Sequence, residues 1–364
     1  MVRSRMWLSL VGLMLAAMLV IAGCTGSSKS PQEVLQASMA KSAELKSYSF
    51  EGSMTVEDLN FPAGEDSADS ELVLSMLKGL NLSWSGVYRT SPMHLEMTLA
   101  LAPQSEGLAI NFSIPIVLEQ DKVWVKIPTI PFLPLPEDVA DKFLELDLKQ
   151  LAEESGKPLP SIDPGKSQKL VNDLMGILFN NVNEQDYFAD VKPEEAGLPA
   201  DVDVKQVVRF QVDKERLEPF VQTLVEKIAP EMIKLLSDNA EYRDMLGLKQ
   251  EDLDSAGKAL DEARKEDISK EMDEFRKVVK ALDVTANIGI DAKEYPVYTD
   301  VRVSADIDAD GQPASLAFKI VSQTRDINKD VKLDYPDGPS ADEVMTMEQF
   351  QQQLGGLFGG IEGL

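Results

Sequence analysis

Residues 47–57 read SYSFEGSMTVE, a stretch in which large apolar and small polar side chains alternate. The apolar set is Tyr48, Phe50, Met54 and Val56. Successive side chains of an extended chain point to opposite faces, so this alternation predicts a β-strand with one buried face and one face in water.

The same alternation recurs on both sides of the chain's middle. The further alternating segments are 82–88, 95–101, 108–116, 123–127, 284–290, 297–307 and 316–320, with residues 120–122 as a turn before 123. Such patterning is typical of antiparallel strands with one solvated face. The sequence therefore predicts an antiparallel sheet with a broad apolar side that other parts of the chain must cover.

Helical periodicity supplies the segments that could cover this side. A first helix is predicted to begin at Pro31. The others are predicted at 137–154, 167–180, 213–236 and 249–281, with a short strand at 207–212. The last of these helices is highly charged, which favours a surface arm. The fold class expected is α+β.

The N-terminus has the organisation of a secretory signal. Arg3 and Arg5 precede an apolar run at 6–21, and its length of about 16 residues is short of the roughly 20 that a membrane-spanning helix needs. Ile21-Ala22-Gly23-Cys24 looks like a bacterial lipobox, in which the cysteine sulfur is acylated and residues 1–23 are removed. The alternative is an ordinary free or buried cysteine behind a plain signal peptide.

Acylation would make Cys24, the only cysteine of the chain, the mature N-terminus and a membrane anchor. Two acyl chains hold a protein durably, whereas one holds it only marginally. We therefore expect a protein lipid-anchored at the extracytoplasmic face of the cell membrane, with residues 24–30 as a flexible tether. With this cysteine acylated, no disulfide forms within the chain.

The chain is strongly acidic, with a formal net charge of −26. A nucleic-acid partner needs a basic surface, so this charge argues against one. It also argues against a second, electrostatic attachment to anionic lipid. A solvated acidic surface is the expected consequence.

Three features converge on one group of proteins: the lipobox, the polar tether with its following helix and SYSFEGSMTV, and INKDVKLDYPDG at 327–338. Together they resemble the LolA/LppX-like bacterial lipoproteins, especially the members found in spore-forming Gram-positive bacteria. The resemblance implies a strongly curved antiparallel half-barrel sheet with helices packed on its concave apolar face. It also implies an apolar cavity between the sheet and the helices, because members of the superfamily carry lipids or lipoproteins there.

The resemblance sets the expected domain organisation. Residues 31–338 form a single domain, and residues 137–281 fit it as a helical insertion. Residues 339–364 follow as a flexible C-terminal tail, because the glycines of LGGLFGGIEGL make a fixed structure unfavourable.

Signals for catalysis are sparse. The single histidine, His94, falls on the polar side of its strand and is expected at the surface. A histidine-based triad or metal centre usually needs more than one such residue. No nucleophile-elbow, phosphate-loop or zinc-protease motif is present. We expect no enzyme activity and no cofactor.

Two further stretches allow alternative interpretations. Asp306, Asp308 and Asp310 with Gly311 match the opening of a calcium loop. The twelfth position is Ala317 instead of glutamate, and Asp310-Gly311 is a strong hairpin signal. We therefore favour a hairpin turn and no metal over a weak calcium site. The proline-rich residues 127–138 are either a rigid connector on the core or a lip over the cavity.

The expected ligand is an acyl chain or similar apolar molecule, bound between the sheet and the helices at 167–180 and 214–236. The side chains expected to line this site are Phe50, Met54, Trp84, Met97, Phe112, Leu174 and Phe220. The alternative function is a non-catalytic interaction or assembly module of the cell envelope, whose helices fill the sheet and whose acidic surface meets a protein partner that the sequence does not identify.

Overall fold

A computed structural model describes most of the chain. The described residues are 29–61, 78, 80–103, 112–129, 135–136, 138–155, 164–264, 273, 276–309 and 311–358. The predicted signal peptide and Cys24 lie outside them. Within the described ranges the chain forms an α+β fold built on one open, curved sheet.

Twelve strands form this sheet. They are β1 (Ser47–Asn60), β2 (Leu80–Thr90), β3 (Met93–Pro103), β4 (Phe112–Glu119), β5 (Lys122–Lys126), β6 (Phe143–Asp147), β7 (Phe188–Val191), β8 (Gln206–Asp213), β9 (Val279–Ile290), β10 (Pro296–Ala309), β11 (Gln312–Arg325) and β12 (Val344–Thr346). Their order is β12-β6-β5-β4-β3-β2-β1-β11-β10-β9-β8-β7. Neighbouring strands are antiparallel except for β12, which runs parallel to β6. Among the described residues, the sheet ends at β12 and at β7 and does not close.

The helices occupy the connections and the C-terminal region. They are α1 (Pro31–Lys41), α2 (Leu148–Ser155), α3 (Pro164–Asn181), α4 (Glu184–Tyr187), α5 (Pro193–Ala196), α6 (Lys214–Thr223), α7 (Ala229–Asp238), α8 (Ala240–Leu246), α9 (Gln250–Ala263) and α10 (Met347–Phe358). A π-helical turn, Leu224–Ile228, joins α6 to α7. The fold class expected from the sequence is confirmed.

Strand register confirms the predicted alternation. In the central strand β1, Phe50 lies opposite Gly86 and Met54 lies opposite Leu82 on one side and Ile320 on the other. These residues and their neighbours in register define the apolar face of the sheet. Ser53, opposite Ser83, belongs to the other, polar face.

The helices predicted from Pro31, at 167–180 and at 213–236 are confirmed, the last of them divided into α6, the π-helical turn and α7. Local capping explains where α1 and α6 begin. Ser30 and Glu33 form a capping box at the start of α1. At α6, the Asp213 side chain accepts a hydrogen bond from the backbone N–H of Arg216 at 2.9 Å. These caps satisfy N–H groups that have no partner inside the helix.

The main hydrophobic core lies between the helices and the apolar face of β7, β8 and β9. Leu35 of α1 and Phe179 of α3 pack there against Val208 and Val212 of β8. Ile228, in the π-helical turn, is fully buried in the same core. The helices therefore cover the apolar face at this end of the sheet.

A second cluster covers the polar face at the opposite end. Val117, Trp124 and Phe143 are buried there, and the Tyr335 ring meets Phe143 edge-on at 5.2 Å between ring centroids. The segment that carries Tyr335 continues into β12, which extends the sheet at β6. Residues 339–364 were expected as a flexible tail, but they contribute this strand and α10.

The expectation of a helix at 137–154 is wrong. A turn at 138–141 leads into β6, and only α2 is helical. Phe143 lies opposite Lys126 on the polar face, whereas Leu144 lies opposite Val125 on the apolar face. This alternation spans too few residues to compete with the helical pattern around it. The segment 137–281 thus supplies β6, β7, β8 and the start of β9 as well as helices.

The charged helix was also expected to be longer. The structure has α9 in its place, which ends at Ala263. Residues 265–272 and 274–275 lie outside the described residues. Val279, which the sequence placed in this helix, begins β9. Burial of Val279, at 4% exposed, explains its place in the sheet.

Candidate functional site

A large part of the apolar face is only half-buried by the described residues. We call the apolar-face residues of β1–β5, β10 and β11 the open apolar face. Its half-buried members include Leu82, Leu95, Leu99, Ile114, Ile116, Leu118, Val301, Val303, Phe318 and Ile320. By contrast, Val208 and Val212 of β8 are 0% and 3% exposed. The apolar side chains of these strands are therefore less completely covered than those of β8, and incompletely covered apolar surface can mark a binding site.

Five of the seven predicted site residues lie on the open apolar face. Register places Trp84 opposite Gly52 and Leu99, and Met97 opposite Gly86 and Ile116. Phe112 lies opposite Leu101 at the end of the same face. The complete set is Phe50, Met54, Trp84, Met97 and Phe112, and all five are half-buried.

The structure does not bring the other two predicted residues to this group. The Phe220 ring packs against Phe210 and Tyr187 in the main core, with centroid distances of 5.9 and 5.5 Å. Leu174 packs against a separate helical cluster built on Leu170 and Tyr242. Both residues help to fix the helices that cover the sheet.

Two glycines allow aromatic rings to lie against the open apolar face. A Cβ atom added to Gly52 would lie 2.4 Å from the Trp84 indole, and one added to Gly86 would lie 2.7 Å from Phe50. Real Cβ atoms do not approach other atoms so closely. Glycine at both positions therefore sets how Phe50 and Trp84 lie on the sheet.

An open cleft of ≈ 690 Å³ lies where α3 approaches the start of β1 and the end of β2. Residues 42–46 and the N-terminal part of α3 form its walls, and Tyr48 and Tyr88 also line it. The two tyrosine rings are 5.2 Å apart, and Tyr48 also contacts Phe50 at 6.0 Å. Burial raises the pKa of both phenols, so they stay protonated at neutral pH.

Sequence reasoning placed Tyr48 and Tyr88 on the apolar side but did not select them as site residues. The signal was present, because each shares its strand face with a selected residue, Phe50 or Trp84. What the sequence lacked was the position of α3, which turns these two rings into the lining of a cleft. None of the seven predicted residues lines this cleft itself.

A polar cluster holds α3 beside the cleft. The Lys169 ammonium lies 2.9 Å from Asp173 and 2.6 Å from the hydroxyl of Tyr242, which in turn donates to Asp173 at 2.5 Å. The hydrogen bonds from Lys169 and Tyr242 lower the pKa of Asp173. The cluster joins α3 to α8 and is satisfied within the fold.

His94 is buried, which corrects the expectation of a surface histidine. It is 1% exposed, and its Nε2 and Nδ1 atoms lie 3.0 Å from Glu96 and 3.3 Å from Glu119. Glu96 also accepts the backbone N–H groups of Asp334 and Tyr335, each at 2.8 Å. The segment around Tyr335 covers this part of the polar face, so a polar side chain is enclosed there.

The hairpin expected at Asp310-Gly311 is confirmed. Ala309 pairs with Gln312, and Gly311 has φ 81°, the left-handed region that glycine adopts without strain. Asp308 accepts the Gly311 N–H at 3.0 Å. Asp310 lies outside the described residues, and in the rest no group of three His, Cys, Asp or Glu side chains is arranged to hold a metal ion.

Two other features bear on the site. Residues 130–134 and 137 of the proline-rich stretch 127–138 lie outside the description, so the alternative between connector and lip stays a prediction. In the part of the chain that is described, no helix combines the length and apolar character needed to cross a bilayer.

The fold and its open apolar face define an α+β protein with one large, incompletely covered sheet. No family model matches the chain, and no curated protein matches it. Among solved structures it is similar to LprF from Mycobacterium bovis at 10% identity, over 85% of this chain and 97% of that one, with a TM-score of 0.30.

A second similar structure is a β-barrel-like protein of the domain of unknown function DUF1849 from Brucella abortus. It is 9% identical, over 78% of this chain and 99% of that one, with a TM-score of 0.17. The α+β fold of this chain is assigned from its own strand order and register.

Proposed function

We propose that this protein is a lipid-anchored, extracytoplasmic lipoprotein that binds an acyl chain or similar apolar molecule on the open apolar face. The observation that supports this most directly is the half-burial of the side chains from β1 to β5, β10 and β11. A sheet whose only task were structural would bury this area under its helices, as β8 does.

The cleft beside α3 has a size suited to a ligand. Its ≈ 690 Å³ falls within the roughly 300–1,000 Å³ of small-molecule sites. A chain of sixteen methylenes, at about 0.8 kcal/mol each, would gain roughly 13 kcal/mol before entropy costs. Affinity could therefore come from the chain alone.

Anchoring and location belong to the same proposal. Acylation of Cys24 would place the domain outside the cytoplasmic membrane on a short tether. Lys29, the first described residue, forms an ion pair with Glu294 at 2.9 Å. The tether would therefore meet the domain at the turn between β9 and β10.

The proposed role is non-catalytic. The chain's one histidine lies against Glu96 and Glu119, and Glu96 also accepts the backbone N–H groups of Asp334 and Tyr335. The alternative is an interaction or assembly module with a self-filled core. The enclosed packing around Val208 and Ile228 favours that alternative at one end of the sheet only.

We expect Leu99→Asn to weaken binding of an acyl ligand about tenfold, because it places an amide on the open apolar face. Native mass spectrometry of the full chain, purified from bacterial membranes, should show a non-covalent acyl mass, in addition to the covalent anchor at Cys24, and this variant should lose it. Trp124→Phe leaves Trp84 as the one tryptophan among the described strands. In that variant, the Trp84 fluorescence should change when palmitate is added.

Thr98→Asn is the matched control. Thr98 precedes Leu99 in β3 and lies opposite Ser85 on the polar face. The same amide is therefore placed on the face that does not contact the proposed ligand. It should retain the added mass. A wild-type chain that emerges at its bare mass, with Trp84 fluorescence indifferent to palmitate, would contradict ligand binding and favour the assembly module.

A further inference from the structure

The cleft beside α3 contains charged groups that are already satisfied within the fold. Glu44 is paired with Lys41 at 2.6 Å, and Lys169 is paired with Asp173 at 2.9 Å. A ligand gains little from groups held in this way, because it would have to displace their present partners.

Three other groups lining the cleft have no side-chain partner among the described residues. They are the exposed Lys46 ammonium and the hydroxyls of Tyr48 and Tyr88. Burial raises the pKa of both phenols, so each O–H remains a hydrogen-bond donor at neutral pH. All three groups can therefore donate to an acceptor placed in the cleft.

The charge of the cleft differs from that of the whole protein. The chain carries −26, yet among the described residues that line the cleft Lys46 and Lys169 stand beside a single carboxylate, that of Glu44. Exposed charges separated by more than about 8 Å are largely screened at physiological ionic strength. Because Glu44 and Lys169 are each held in an ion pair, the Lys46 ammonium is the unpaired charge among the described residues that line the cleft.

The cleft is continuous with the open apolar face. Tyr48 contacts the Phe50 ring, and Tyr88 lies on the same face of β2 as Trp84. On the opposite wall, Val171 of α3 leaves 43% of its surface exposed. If the polar end of a ligand lies in the cleft, the rest of the ligand therefore lies next to the apolar side chains of the sheet and of α3.

We propose that the ligand is a single-chain amphiphile with a negatively charged head group, held in the cleft by Lys46, Tyr48 and Tyr88 while its chain lies on the open apolar face. This inference rests on the proposed function and adds the chemistry of the head. A carboxylate accepts charge-assisted hydrogen bonds, which are roughly twice as strong as those of an uncharged alcohol.

The test compares two probes on the full chain in phosphatidylcholine nanodiscs: palmitic acid and hexadecanol, each with a photoreactive diazirine in the chain. Wild-type protein should be labelled about tenfold more by the acid than by the alcohol, at peptides from β1 to β4. Lys46→Gln should bring the ratio of the two close to one. Tyr48→Phe and Tyr88→Phe should each lower acid labelling about threefold, since each removes one donor.

Lys258→Gln is the matched control, because it removes the same charge from exposed α9 outside the cleft. It should leave the ratio unchanged. Equal labelling by acid and alcohol, or a ratio unaffected by Lys46→Gln, would overturn the head-group inference and leave the proposed function standing. Absence of labelling by both probes at the sheet would overturn both.

Discussion

Cys24→Ser is expected to move almost all of the protein from the detergent phase to the aqueous phase. The serine variant has no sulfur to acylate, so it would lose two acyl chains that each contribute about 0.8 kcal/mol per buried methylene. The wild-type N-terminal peptide should begin at residue 24 and carry the acyl mass. Detergent partitioning and mass spectrometry of that peptide measure both effects.

Thr25→Ser provides the control for this variant, since it changes the neighbouring residue and leaves Cys24 in place. It should partition as the wild type does. Equal partitioning of Cys24→Ser and wild type, with the same N-terminal residue found in both, would contradict the lipid anchor.

Glu96→Ala is expected to lower the free energy of unfolding by about 3 kcal/mol. The substitution leaves three groups without their acceptor: the His94 ring and the backbone N–H groups of Asp334 and Tyr335. His94 is 1% exposed and the two N–H groups are partly buried, so water replaces the lost acceptor only incompletely. Urea denaturation at neutral pH measures the loss.

Glu119→Ala tests whether this effect comes from burial. Its carboxylate also faces His94, at 3.3 Å, but 37% of the side chain is exposed. Water can replace such a partner, so the expected loss is below about 1 kcal/mol. Similar losses for the two variants would show that the contact with residues 334–335 contributes nothing to stability.

The sequence predicted the strands well where alternation was long. Residues 47–57 share one pattern, and the register of β1 with β2 through Thr55 and with β11 through Val56 reproduces it. The sequence analysis did not predict β6, because its five residues lie within a segment that has helical periodicity. The parallel pairing of β12 was missed because three residues carry no readable period.

The sequence predicted which face of the sheet carries the candidate site, but not which residues of the helices lie against that face. Alternation identifies the side of a strand on which Phe50 or Met97 lies, but it does not say which helix lies above it. Leu174 and Phe220 were chosen from helical stripes. The packing of α6 places Phe220 in the main hydrophobic core, and the packing of α3 places Leu174 in the helical cluster with Tyr242. His94 illustrates the same limit, since its burial depends on a segment some 240 residues away.

The strand order has a consequence for how the chain acquires its structure. β1, at the centre of the sheet, takes one partner from the next strand and the other from β11, with Met54 and Ile320 about 270 residues apart. During synthesis, the N-terminal strands are complete long before β11 exists. Until then the central strand is an unpaired edge with an apolar side, the kind of surface that recruits other chains. We therefore expect the centre of the sheet to form late, and protection from aggregation to matter most until β11, Gln312–Arg325, has emerged.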